Sequence, residues 1–118
     1  MTLYGDYVSI AATTAGVTGT ISLPLGARIL GMNVSMKTAD GNIVSSIELI
    51  GTGLPTPLKI TPKMAFTTIG TNMLGLAFAP SPLIDLQKYA LTMKTGTLTI
   101  KVTTTANETV VIGIMWTA

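Results

Sequence analysis

The chain has 118 residues, 47% of them hydrophobic and only 10% charged, with a formal net charge of +2 and neither histidine nor cysteine. That length suits one domain with a single core. The missing residue types exclude thiolate nucleophiles, disulfides, histidine general bases, and zinc or iron–sulfur sites ligated through Cys or His. An average soluble domain carries about 25% charged residues, so much of this surface must be Thr, Ser, Gly and apolar side chains, a surface safer inside an assembly than in dilute solution.

The charges are also dispersed. Arg28, Lys37, Lys59, Lys63, Lys88, Lys94 and Lys101 stand as singletons, without the basic cluster a nucleic-acid binder needs. Mean hydropathy is +0.59, yet no apolar run approaches the roughly 18–20 residues of a spanning helix. With 5% aromatics, the chain cannot supply the two aromatic girdles of a transmembrane barrel. Met1 is followed by Thr2-Leu3-Tyr4-Gly5-Asp6, with no basic or apolar leader region. The expectation is synthesis in a host cytoplasm without a signal peptide.

Leu3–Ala12 reads as a first strand, with Tyr7, Ser9 and Ala11 on one side and Val8 and Ile10 on the other. Thr13–Gly19 is loop-like. Thr20–Leu25 alternates Ile21, Leu23 and Leu25 with polar residues, and Pro24 makes it an edge strand or a strand end. In Arg28–Thr38, Leu30, Met32, Val34 and Met36 face one way and Gly31, Asn33, Ser35 and Lys37 the other, a strict period of two. Asp40-Gly41 is a tight-turn dipeptide, so Ile43–Ile50 is expected to return as the second arm of a hairpin.

Gly51–Pro57 must be irregular, and Leu58–Thr61 is a short strand stopped by Pro62. Phe66–Ile69 and Met73–Phe78 are short apolar pieces, and Ala79-Pro80-Ser81-Pro82 is a break. Leu83–Leu86 reads as one helical turn or a bend, and Tyr89–Lys94 as a strand turned by Thr95-Gly96. Leu98, Ile100 and Val102 alternate with Thr99, Lys101 and Thr103. After a polar turn at Thr104–Glu108, Val110, Ile112, Ile114 and Trp116 close the chain, completing a last hairpin. Eight or nine short strands at spacings of about 8–12 residues predict an all-β antiparallel sandwich, jelly-roll-like, with residues 1–118 in one domain.

Chemistry is scarce. Asp6, Asp40, Glu48, Asp85 and Glu108 are the five carboxylates. Asp40 sits beside a turn glycine, Asp85 is placed to cap a turn, and Glu48 falls on an outer strand face. Nothing brings two of them together as a glycosidase pair, and their scatter does not suit calcium. Ser35 and Lys37 share a strand face, which is more simply a polar face than a catalytic pair. Gly51-Thr52-Gly53 opens no helix and is no phosphate loop. The sequence therefore supports no catalytic, cofactor-binding or metal residues, and no enzyme. Of the sequons Asn33-Val34-Ser35 and Asn107-Glu108-Thr109, the second lies on a turn and is the better acceptor if the compartment permits.

The stretch Ile21-Ser22-Leu23-Pro24-Leu25-Gly26-Ala27-Arg28-Ile29-Leu30-Gly31-Met32-Asn33-Val34 resembles a strand–turn–strand pattern of small single jelly-roll or β-sandwich virion proteins: capsid, decoration, penton or spike subunits of phages and archaeal viruses. The Thr-rich Gly96–Ala118, ending in Val-Val-Ile-Gly-Ile-Met-Trp, is similar to their closing strands. The resemblance implies symmetric assembly, no enzyme activity, no cofactor, and partners limited to further copies and other virion structural proteins.

The expectation is thus a virion structural subunit. Candidate interface residues are Phe66, Ile69, Met73, Leu74, Leu76 and Phe78 on the poorly alternating apolar strands. Tyr4 and Tyr7 join them as anchors near the N-terminus, and Trp116 as a terminal-strand residue that pins its strand into a sheet or a neighbour. Alternative readings are a self-assembling extracellular filament or surface-layer subunit and, behind it, a carbohydrate-binding module, which would need exposed aromatics beside polar side chains on one face.

Overall fold

A computed structural model describes residues 2–36, 44–61, 69–70, 77–78 and 84–118. The alternating patterns become strands: β1 Leu3–Ala12, β2 Val17–Ser22, β3 Arg28–Met36, β4 Val44–Ile50, β5 Leu58–Ile60, β6 Ile69–Gly70, β7 Ala77–Phe78, β8 Ile84–Asp85, β9 Thr97–Thr104 and β10 Glu108–Thr117. One four-stranded sheet has the order β1-β10-β3-β8, the other β2-β9-β4-β5, and among the described residues β6 pairs with β7. All strand pairings are antiparallel.

The order reveals a nested plan. The first strand pairs with the last (β1·β10), the second with the second-last (β2·β9), β3 with β8, and β4 with β5. Folding that double ribbon over joins β10 to β3 and β9 to β4. The result is an eight-stranded jelly roll. Every connection between consecutive strands of the two sheets switches sheet, except the one joining β4 to β5.

Two expected hairpins are therefore corrected. β3 and β4 lie in opposite sheets, as do β9 and β10. The strands of each pair therefore do not pair with each other; β10 takes the place beside β3 and β9 the place beside β4. The Asp40-Gly41 dipeptide itself lies outside the described residues.

Other boundaries also move. β2 begins at Val17, inside the expected loop, because Val17 and Ile21 pair with Val102 and Leu98 of β9. It stops before Pro24. Tyr89–Lys94 is not a strand. Gln87–Tyr89 form a 3₁₀ turn and Ala90 adopts φ 50°, a left-handed conformation that no strand accommodates. Beyond it only Thr92 bridges to Arg28, while Leu91 and Met93 plug the core. Ile84 and Asp85, expected in a turn or bend, pair with Met32 and Gly31 as an edge strand.

The core lies between the sheets. Ile10, Met32, Val34, Met36, Ile112 and Ile114 come from the first sheet, and Ile21, Ile47, Leu49, Leu98, Ile100 and Val102 from the second. β9 alternates in burial as period two requires, whereas β3 and β10 do not. β3 departs from a half-buried strand, because Gly31 and Ser35 on its other side are buried as well. β3 is interior to its sheet, flanked by β10 and β8.

The outer face of the second sheet is polar. Lys101, Glu48 and Lys59 stand opposite one another on β9, β4 and β5, with Thr18 completing the row. Alternating charge directly across strands is favourable. Among the described residues, no helix is long and apolar enough to cross a membrane.

Candidate assembly surface

The residues proposed for contact separate into three groups. Tyr4, Tyr7 and Trp116 lie on the paired strands β1 and β10, Tyr4 against Trp116 on the inner side and Tyr7 on the outer side. Ile69 and Phe78 stand opposite each other in the β6–β7 pair. Phe66, Met73, Leu74 and Leu76 lie outside the described residues.

The β1–β10 ladder runs from Leu3↔Thr117 to Ala12↔Glu108 without a break. Strand alternation sends Tyr4, Asp6, Val8, Ile10 and Ala12 inward and Leu3, Gly5, Tyr7, Ser9 and Ala11 outward. Inward, the Tyr4 ring stacks on Trp116 with centroids 4.4 Å apart and planes at 21°. The Trp116 indole Nε1 donates to Asp6 Oδ2 at 2.7 Å. Trp116 is only 9% exposed, so it pins the closing strand to the first, as a terminal-strand Trp with a satisfied N–H should. Thr117 Oγ1 donates to the Thr2 carbonyl at 2.9 Å, fastening the same end.

Outward, Tyr7 is 60% exposed and Leu3 53%. Tyr7, Gly113 and Asn33 stand side by side on β1, β10 and β3. A Cβ on Gly113 would run into Asn33 Oδ1 and would lie 2.8 Å from Tyr7 Cε1. The glycine thus lets both neighbouring side chains fold down across the sheet. Together with Leu3, Gly5 and Met115 they line a shallow groove of about 280 Å³.

Of the carboxylates, Asp40 lies outside the described residues, and Glu108, expected in a turn, opens β10. Asp85 Oδ1 accepts the Gln87 N–H at 2.9 Å, capping the 3₁₀ turn, and Glu48 is on an outer face. Among the described residues, no group of three or more acids could hold a metal ion. Asn33 is half-buried within the central strand β3, whereas Asn107 is exposed in the bend before β10. Met32, Met36 and Met93 are core filler, and Met115 lies half-buried along the groove.

Sequence reasoning did not find Asn33 or Gly113 as neighbours of Tyr7. Their only sequence signal is that a small residue on β10 and a polar one on β3 share the outward parity, and this becomes readable only once strand order is known. Comparison of the chain with protein-family models, curated proteins and solved structures finds no match.

Proposed function

We propose that the protein is a non-enzymatic structural subunit of a virion, such as a capsid, decoration or spike protein, that works by associating with copies of itself. It would be made in the host cytoplasm, with other virion structural proteins as its further neighbours. The observation that carries the reading is the β1 flank of the first sheet, where β10 is the only strand partner among the described residues. There a ten-residue edge strand carries an exposed Tyr7 and Leu3. An unprotected edge of that length is a template for association. The jelly-roll order supports the viral reading by analogy, since shells and spikes reuse this architecture, as lectins and cupins do.

Negative-stain microscopy of the purified chain tests it, with sulfate added to strengthen apolar burial. Discrete particles or capped spikes of uniform size are expected. A field of dispersed single subunits at every concentration would overturn the reading, and unbounded fibres would favour a filament subunit instead.

One observation favours a second reading. The Tyr7 ring beside the Asn33 amide is an aromatic platform with a polar neighbour, the arrangement a neutral glycan would use. Binding on a glycan panel that is lost in Tyr7→Ala would support it.

A further inference from the structure

We infer that the β1 edge pairs antiparallel with the β1 edge of a second copy, merging two four-stranded sheets into one eight-stranded sheet across a two-fold axis at Tyr7. This inference rests on the assembly reading above and names its contact.

The four edges of the two four-stranded sheets are defended unequally. β8 is two residues long and carries Asp85, and Pro82 precedes it in sequence. β5 has three residues, carries Lys59, and lies between Pro57 and Pro62 in sequence. Shortness, charge and flanking proline are the devices that stop sheets from pairing edge to edge. β1 has neither the shortness nor the flanking proline, and carries one charge. It runs ten residues without proline, lysine or arginine. Its single charge, Asp6, is turned inward and held by the Trp116 indole at 2.7 Å. Among the described residues, β10 is its only strand partner. Every second residue of β1 therefore aims its N–H and C=O away from the sheet. β2 is also free of charge, but at six residues it offers a shorter ladder.

The same comparison selects the occupant. In a head-to-tail run, β1 would pair with a different edge of the next copy: the short, charged β8 or β5, or the six-residue β2. The edge of matching length in another copy is β1 itself. An edge that meets its own kind makes an isologous contact, which closes after two copies.

The register follows from the faces. Outer residues must meet outer residues, so the axis passes through a residue position rather than between two. Centred on Asp6, the pairing would set two carboxylates against each other. Centred on Tyr7, it sets Leu3 against Ala11 of the partner subunit, Gly5 against Ser9 of the partner subunit, and the two Tyr7 rings side by side on the outer face. Aromatic cross-strand pairs of this kind are favourable.

The chain has no cysteine, so a single introduced thiol reports cleanly. Tyr7→Cys is expected to convert most chains to a disulfide-linked dimer under mild oxidation, while Thr20→Cys on the outer face of β2 stays uncrosslinked. Tyr7→Lys places two ammonium groups at the axis, and the solution mass is expected to fall at least twofold with the β-sheet circular dichroism retained. If the wild-type chain assembles but Tyr7→Cys does not crosslink and Tyr7→Lys leaves the mass unchanged, the β1 pairing is wrong and the assembly reading stands. A wild-type monomer sinks both. Should Tyr7→Lys fail to fold, the crosslinking result decides alone.

Discussion

The Trp116 indole N–H reaches Asp6 Oδ2 at 2.7 Å across a separation of 110 residues. This bond joins the last strand to the first, at the end of the sandwich where the Tyr4 ring also lies against Trp116. It explains how an acid is tolerated in an otherwise uncharged strand: the carboxylate has a donor and is half-buried. Trp116→Phe keeps most of the stacking area and removes the donor. It should destabilise the fold by about 1–2 kcal/mol in urea unfolding. A double-mutant cycle with Asp6→Asn should show the two effects to be coupled rather than additive.

Thr104 makes the opposite case. It is 1% exposed, and its hydroxyl has no hydrogen-bond partner among the described residues. Thr104→Val replaces the hydroxyl with a methyl of similar size. Thermal unfolding should show a gain of about 1 kcal/mol and a Tm several degrees higher. A loss of stability would mean that the hydroxyl has a partner after all.

Gly51 follows β4 with φ of +99°, and a Cβ there would sit 2.8 Å from the Thr97 carbonyl oxygen. Both the backbone conformation and the backbone neighbour resist a side chain. Gly51→Ala should cost about 1–3 kcal/mol, visible as a lower urea midpoint with an unchanged slope.

Burial sets the remaining contrast. Ile112, fully buried at the centre of β10, meets Val8 and Val34 in register. Ile112→Ala should cost about 2–5 kcal/mol through lost transfer energy and a residual cavity. Leu25 is 70% exposed on the turn before β3, and Leu25→Ala should change stability by no more than about 0.5 kcal/mol.

Strand existence was legible in the sequence wherever a strand buries one face. Met32, Val34 and Met36, and again Leu98, Ile100 and Val102, alternate because the core lies on one side of each. Pairing was less legible. Asp40-Gly41 carries hairpin chemistry, but whether two strands pair or arch over a core depends on what else competes for their edges. Here β10 and β9 take those positions. The stretch around Tyr89 misled because its left-handed residue is Ala90, which carries none of the warning a glycine gives. Trp116 was readable as a pin, since a large ring near a strand end needs a home, but its partner Asp6 was not. Likewise Tyr7 stood out as an aromatic, while Asn33 and Gly113 join it only through strand order.

The central claim is that this chain functions in an assembly of its own copies. Light scattering of the purified protein across a dilution series measures that directly. The account predicts a discrete mass, an even multiple of the 12.2 kDa chain, that persists on dilution. A stable species of 12.2 kDa at every concentration would contradict it.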